Sequence, residues 1–226
     1  MFTEKTKMLI GETAMKILKN SKVCVVGVGG VGGFVVEMLA RSGVGNLCLI
    51  DFDKVEKSNI NRQIVALNST LEKFKVDVMK ARVLDINPAC KVETFQRKLT
   101  AKNIKDFNLP QFDFIVDAID SITDKINLIV FCKQNNIKIV SAMGTGNRIG
   151  LPNYHLTDIF KTSNDGLAKI LRKKLKDMQI NSLDVVVCAD NVDEKLQEPA
   201  SIVWHPANSA CILSAFVVNN LIGRKN

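Results

Sequence analysis

The chain has 226 residues, of which 46% are hydrophobic and 24% are charged, and its formal net charge is +8. These values are ordinary for a globular protein and exclude a fibrous or wholly disordered chain, while the length allows one or two domains. The excess of positive charge favours an anionic partner, such as a nucleotide or an RNA.

The six cysteines lie at positions 24, 48, 90, 132, 188 and 211, and none of them forms a Cys-x-x-Cys pair. Most lie in apolar runs, which is typical of buried thiols in a reducing cytoplasm and not of a disulfide framework or a zinc site. The N-terminus carries charge at once, and the longest largely apolar run, 210–218, is too short to span a membrane. The absence of a linker or repeat predicts a single cytoplasmic domain over 1–226, without a membrane span.

The first 20 residues are predicted to form an arm over 1–6 and a helix over 7–19. Gly11 weakly interrupts the helical pattern, because glycine is unfavourable inside a helix. Lys5 lies on the arm, where a solvent-exposed surface position is the simplest interpretation.

A glycine-rich turn follows the first apolar strand, which is predicted over 23–26. Its glycines are Gly27, Gly29, Gly30 and Gly32. Glycines at this spacing between a strand and a helix let the backbone approach a phosphate closely, and the amides at the helix N-terminus then face the anion. The turn therefore predicts a nucleotide site without identifying the nucleotide.

A polar segment follows the second apolar strand, predicted over 47–50. The strand ends on Asp51, at a spacing from the glycine turn that suits an acceptor for ribose hydroxyls. The segment then supplies an acid, a hydroxyl, an amide and a guanidinium, at Asp53, Ser58, Asn59 and Arg62. These are groups that can hold a triphosphate and its metal, whereas the alternative is a solvated loop.

Strands and helices alternate through the middle of the chain. Helical spacing over 70–86 carries Lys75, a compact cation suited to phosphate oxygens. The apolar strand over 112–120 ends in acids, and because carboxyl ends of strands border the ligand crevice, Asp120 is predicted to be functional and Asp117 to cap a turn. With further elements over 91–95, 100–107, 123–135 and 138–142, this order predicts an α/β, Rossmann-like, doubly wound and mostly parallel sheet with helices on both faces.

The second half contains a basic helix, predicted over 166–178 within the cationic region 160–180. Its cations would neutralise RNA phosphates without reading sequence, although a solvated face is the alternative. The candidate RNA-binding residues are Lys161, Lys169, Arg172, Lys173 and Lys174.

A strand over 183–188 ends at Cys188, whose apolar neighbours indicate an inert thiol. The connection over 189–205 is predicted to be a flexible loop, and the apolar helix over 208–222 to pack in the core or a dimer.

Taken together, these motifs resemble a known superfamily. The glycine turn, the acids at 51 and 53 and the segment 58–63 are similar to the ATP-binding core of the ubiquitin-activating-enzyme-like adenylyltransferases. The segments 143–148, 156–159, 161–163, 165–169 and 171–175 resemble the tRNA threonylcarbamoyladenosine dehydratase branch of that superfamily. Gly166 departs from this branch, which tends to have proline there, and the sulfur-carrier activators' paired Cys-x-x-Cys zinc ligands are missing.

The resemblance implies roles for individual residues. Arg62, Lys75 and Asp120 would be catalytic, with Asp120 supporting Mg²⁺·ATP and the attack on the α-phosphate. The glycines of the turn would bind ATP together with Asp51, Asp53, Ser58, Asn59, Arg62, Lys75, Asp120 and Ser121. Lys5 would reach the ATP phosphates of the partner subunit in a homodimer.

The implied reaction is adenylation of the carboxylate of threonylcarbamoyladenosine, next to the tRNA anticodon, followed by ring closure with net loss of water. The implied partners are the modified tRNA, a second copy of the chain and a sulfur-transfer protein. Two alternatives stay open at this point. One is an activator of a ubiquitin-like or sulfur-carrier protein, and the other is a non-catalytic nucleotide- or RNA-binding module. A dehydrogenase ranks last, since no hydride-transfer apparatus or second domain is visible.

Overall fold

The computed structural model describes residues 2–193, 196 and 200–224. The strands are β1 (Lys22–Val26), β2 (Asn46–Ile50), β3 (Lys91–Phe95), β4 (Phe114–Asp117), β5 (Ile139–Ala142), β6 (Tyr154–Asp158) and β7 (Asp184–Cys188). The helices are α1 (Glu4–Asn20), α2 (Gly32–Ser42), α3 (Lys75–Ile86), α4 (Ile122–Gln134), α5 (Gly166–Asp177) and α6 (Trp204–Leu221). The strands form one seven-stranded sheet in the order β3-β2-β1-β4-β5-β7-β6, parallel except for β6 against β7.

Two apolar layers cover the sheet, because alternate residues of each strand point to opposite faces. On β1, Val23 and Val25 belong to the core beneath α2, α3 and α6, whereas Cys24 and Val26 belong to the core beneath α4 and α5. All four side chains are almost completely buried, as expected for a central parallel strand with helices on both sides. The predicted doubly wound α/β fold is confirmed.

The structure differs from the sequence-based boundaries at several places: the helix predicted over 100–107 is only the 3₁₀ turn Ile104–Phe107, and α6 begins at Trp204 and not at 208. Helix α1 begins at Glu4, so residues 4–6 are helical and not part of an extended arm, and a non-helical Gly11 (φ 85°, ψ 168°) kinks the helix. Helix α3 begins only at Lys75 and not at 70. Residues 71–74 are not helical and separate it from the preceding 3₁₀ turn, Asn68–Thr70. Strand β6 was not predicted, since a half-polar edge strand lacks a clear alternation.

The connection over 189–205 extends partly beyond the described residues, which omit 194, 195 and 197–199. Its described parts are bonded to the turn at Asn147. The Asn147 amide donates to the Ala200 carbonyl at 2.7 Å, and the Asn147 side chain accepts from the Ala200 amide at 2.8 Å. Asp193 accepts the Ile149 amide at 2.6 Å. Within the described part of the chain, no helix is long and apolar enough to cross a membrane.

A buried ion pair ties α4 to the end of β4. Lys125 Nζ lies 2.9 Å from Asp117 Oδ2, and both side chains are 0% exposed. The other carboxylate oxygen of Asp117 accepts the Ile119 amide at 3.1 Å, which is the turn-capping role predicted for it. Removing one partner would leave the other charge buried and unpaired, which costs about 3–5 kcal/mol, so the fold requires both residues together. The pair thereby fixes the loop that carries Asp120.

A candidate nucleotide-binding active site

The glycine turn is closed by backbone contacts that leave no space for a side chain at two of its glycines, Gly27 and Gly32. Gly27 has φ +89°, and a Cβ there would lie 2.6 Å from the carbonyl oxygen of Ala118. A Cβ on Gly32 would lie 1.8 Å from the carbonyl oxygen of Gly27. Only glycine fits these two positions, and their close contacts hold the N-terminus of α2 against the carboxyl ends of β1 and β4. The helix N-terminus therefore faces the crevice where an anion would bind.

Asp51, which follows β2, braces this turn. Its Oδ2 accepts the Val28 amide at 2.6 Å, and its Oδ1 accepts the Asp53 amide at 2.8 Å. Burial raises the pKa of Asp51, while the two amide hydrogen bonds oppose the shift. Each carboxylate oxygen has a second lone pair, so Asp51 can still accept a hydroxyl from a ligand.

Arg62 and Lys75 reach the same crevice from different segments. Arg62 donates from Nη1 to the Ser58 carbonyl at 2.9 Å, and its amide donates to the Asn59 carbonyl at 3.1 Å. Lys75, at the first position of α3, forms an ion pair with Asp53 at 2.8 Å and has a side chain only 6% exposed. Both cations are thus held in place by neighbours that sequence reasoning had assigned to the ligand.

These residues line one cavity of about 570 Å³ at the carboxyl edge of the sheet. Of the predicted site residues, the lining includes Gly27, Gly29, Gly30, Asp51, Asp53, Arg62, Lys75, Asp120 and Ser121. Among the described residues it does not include Gly32, Ser58, Asn59, Lys5 or the five candidate RNA-binding residues. Gly32 serves the packing of the turn, and Asn59 is buried with its side chain accepting the Glu56 amide at 3.1 Å.

The cavity also contains charged residues that the sequence analysis missed. Lys98 forms an ion pair with Asp124 at 2.9 Å, and its Nζ lies 5.7 Å from the centre of the Phe52 ring. The hydrogen bond to Asp124 raises the pKa of Lys98, and the charges of Asp124, Asp120 and Asp53 add to that shift. Arg97 lies on the lining as well. Both cations lie within three residues of the end of β3, so the rule that identified Asp120 at a strand end could have identified them too.

The basic helix α5 packs on the face of the sheet opposite to the one that α2 covers. Its apolar side is buried at Ala168, Leu171 and Leu175, whereas Ile170 and Met178, which the periodicity assigns to that side, are exposed. Of the candidate RNA-binding residues, Lys161, Lys169, Lys173 and Lys174 are exposed, whereas Arg172 is half-buried. Arg172 donates from Nη1 to the Thr162 carbonyl at 3.0 Å, so its guanidinium group is already hydrogen-bonded within the protein. Lys5 is exposed on α1.

Comparison with known proteins agrees with this arrangement. Residues 3–151 match the ThiF family. The tRNA threonylcarbamoyladenosine dehydratase of Bacillus subtilis is 36% identical over 96% of this chain and 93% of its own length, and that of Escherichia coli is 40% identical over 76% and 64%. The Haemophilus influenzae molybdopterin-synthase adenylyltransferase is 36% identical over only 55% of this chain and 51% of its own length.

Solved structures give the same result. Crystal structures of the E. coli tRNA N6-threonylcarbamoyladenosine dehydratase in complex with ATP and with AMP each match this fold with a TM-score of 0.92 at 32% identity. The match covers 97% of this chain and 93% of the solved chain. The chain therefore belongs to the ThiF family, within the ubiquitin-activating-enzyme-like adenylyltransferases, and over nearly its whole length it is similar to tRNA threonylcarbamoyladenosine dehydratases.

Proposed function

We propose that this protein is an ATP-dependent tRNA threonylcarbamoyladenosine dehydratase, which adenylates the carboxylate of the modified nucleoside and releases AMP and pyrophosphate. The observation that carries the proposal is the single cavity in which the glycine turn, Arg62, Lys75 and Asp120 meet. A relative with the same fold has been solved with ATP and with AMP, which supports a nucleotide in this cavity.

The lining fits a nucleoside triphosphate as a substrate. The N-terminus of α2 and the backbone at Gly29 and Gly30 would bind phosphate oxygens, and Asp51 would accept a ribose hydroxyl. Arg62 and Lys75 would neutralise the charge that develops when the carboxylate attacks the α-phosphorus and pyrophosphate leaves. Both side chains are already held by protein partners, so little reorganisation is required during the reaction.

The chemistry explains why no enzyme nucleophile is needed. A free carboxylate is a poor electrophile because its leaving group would be oxide, whereas the acyl-adenylate formed on ATP has AMP as its leaving group. An internal nucleophile of the nucleoside then displaces AMP and closes the ring. The oxygen lost from the carboxylate leaves with AMP, which is how the nucleoside loses the elements of one water.

We assign Mg²⁺ to Asp120. Its carboxylate is exposed to the cavity, and it follows β4 at the edge where the phosphates would lie. A bound Mg²⁺ would supply positive charge to the phosphate oxygens, and oxygen ligands from one carboxylate and the substrate are its usual preference. Asp53 is less available, since it already pairs with Lys75.

The defining test supplies ATP with tRNA that carries threonylcarbamoyladenosine. We expect AMP, pyrophosphate and a nucleoside lighter by one water, measured by chromatography and mass spectrometry, and no AMP with unmodified tRNA. The partial match to a molybdopterin-synthase adenylyltransferase makes activation of a carrier protein the second candidate. Pyrophosphate release or ATP–pyrophosphate exchange with a carrier protein that ends in diglycine, and no turnover with modified tRNA, would establish that candidate instead.

We assign the tRNA contact to the exposed lysines of α5 and its approach, Lys161, Lys169, Lys173 and Lys174. Replacing Lys169 and Lys173 by glutamine is expected to raise the KM for tRNA about tenfold at physiological salt and to reduce the slope of log affinity against log salt by about two. Steady-state kinetics measure the KM, and filter binding across a salt series measures the slope. Lys16 and Lys19, exposed on α1, are the matched control pair, and an equal effect there would reject α5 as the binding face.

We further propose a homodimer in the cytoplasm, in which Lys5 reaches the ATP of the partner subunit. The exposed Met8 and Leu9 on the same helix as Lys5 support an apolar contact between copies, which light scattering can measure. A sulfur-transfer protein is a proposed further partner, on the basis of the resemblance alone.

A further inference from the structure

The carboxylate of Asp165 joins the basic helix to the wall of the nucleotide cavity. We propose that Asp165 is a positioning residue that holds the tRNA-binding helix α5 and the wall of the adenylation site at a fixed position relative to each other. The inference rests on the proposed function, because it assigns Asp165 a role in presenting the tRNA-borne carboxylate to ATP.

Asp165 bonds two elements with its two oxygens. Oδ1 accepts the Ala168 amide at 2.8 Å and so caps the N-terminus of α5. Oδ2 accepts the Gly144 amide at 3.1 Å, and Gly144 lies in the turn after β5. Asp165 itself is only 6% exposed, and a buried charge-assisted hydrogen bond of this kind is stronger than a neutral one. The side chain of Asp165 thereby connects α5 to the turn that follows β5.

The turn that receives this bond forms one wall of the cavity. Residues 142–146 line it, and Leu167, from the first turn of α5, lines it beside them. Gly144 has no side chain that packing could hold, so the hydrogen bond to Asp165 holds its amide, whereas the neighbouring Met143 is buried and donates its amide to the Val186 carbonyl at 2.9 Å. A Cβ added at Gly144 would lie 3.1 Å from Asp165 Oδ2, which shows how closely the carboxylate approaches the backbone.

The rest of α5 is anchored as a rigid body. Leu171 and Leu175 are completely buried, and Arg172 bonds to the Thr162 carbonyl. Because these contacts fix α5, the link at its N-terminal end sets the position of the Gly144 wall of the cavity relative to the outward lysines. Because a displacement of about 1 Å from the reactive geometry can lower a rate about 10²-fold, this link matters for the chemical step and not for binding of either substrate alone.

The sharpest variant is Asp165→Asn. Asparagine is as good an N-cap as aspartate, so its side-chain oxygen can still accept the Ala168 amide. Its NH₂ group would then face the Gly144 amide, which is also a donor, and the link to the cavity is lost. We expect kcat with modified tRNA to fall about tenfold to 10²-fold, with the KM for ATP and the KM for tRNA close to wild type, and the lost buried bond to lower Tm by several degrees.

Asp158 provides a matched control. It accepts the Phe160 amide at 2.8 Å as a cap and the Leu183 amide at 3.1 Å, but it does not line the cavity. Asp158→Asn removes an equivalent bond elsewhere, so kcat should stay at the wild-type value. A second variant, Gly144→Ala, is expected to displace the Asp165 carboxylate and to lower kcat as Asp165→Asn does, again without a change in either KM.

The outcomes separate the inference from the proposed function. If the wild-type protein releases no AMP with modified tRNA, the proposed function fails and the inference fails with it. If the wild-type protein turns over and Asp165→Asn keeps its kcat, the inference alone is wrong. It is also wrong if Asp165→Asn lowers Tm and kcat to the same degree as Asp158→Asn, since Asp165 would then have only a structural role.

Discussion

Replacing Lys75 by methionine is expected to lower kcat for AMP formation about 10²- to 10³-fold, the usual cost of removing one charge-stabilising donor. The native position of this lysine is itself unfavourable for stability. Its ammonium group is nearly buried, and it lies at the N-terminus of α3, where the helix dipole disfavours a cation. Asp53 offsets only part of these costs, because its own side chain is 45% exposed. An anionic ligand in the cavity would explain why a cation is kept there.

Methionine keeps most of the aliphatic volume of Lys75, and Asp53 stays hydrated, so the fold should persist. The matched control is Lys73→Met, which changes an exposed lysine two positions earlier that does not line the cavity. Single-turnover measurements at saturating ATP separate the chemical step from binding. A Lys75→Met enzyme with wild-type kcat and a raised KM for ATP would mean that Lys75 binds ATP equally in the ground and transition states, contrary to the role assigned here.

The part of the site that sequence reasoning could predict is the part governed by strand topology. The glycine turn, Asp51 and Asp120 follow three neighbouring parallel strands, and carboxyl ends of parallel strands meet at one edge. Their convergence in one cavity therefore follows from the order of the elements. Arg62 and Lys75 were recognised because the polar segment between β2 and α3 is part of a recurring motif.

The contacts that could not be predicted join loops whose distance is set by packing. Lys98 follows β3 and Asp124 lies in α4, and the two side chains meet because of how these elements pack on the sheet. No local sequence pattern encodes that packing. The link from Asp165 to Gly144 is of the same kind, since 21 positions separate the two residues in sequence. Sequence reasoning also assigned Asn59 to the ligand, although an amide can equally bond the neighbouring backbone, as this one does.

Asp120→Asn is expected to lower kcat/KM for ATP about 10²-fold and to raise the Mg²⁺ concentration required for half-maximal rate, because a metal interaction contributes several kcal/mol. Asparagine has nearly the shape of aspartate but no charge, so it would weaken a metal without changing the cavity's form. The Lys125–Asp117 pair, which fixes the preceding loop, is untouched, and stability should be close to wild type.

The Mg²⁺ titration is what distinguishes metal binding from a general effect of charge. Binding of AMP without Mg²⁺ should be the same in Asp120→Asn and wild type, because the assigned metal is then absent from both. The control Asp113→Asn removes an acid at the opposite end of β4, where Asp113 accepts the Lys22 amide at 2.7 Å, and it should leave the Mg²⁺ dependence unchanged. An Asp120→Asn enzyme with reduced activity but an unaltered Mg²⁺ midpoint would assign the carboxylate to ATP or to the incoming acid, and the metal would then have to be held by other oxygens of the cavity.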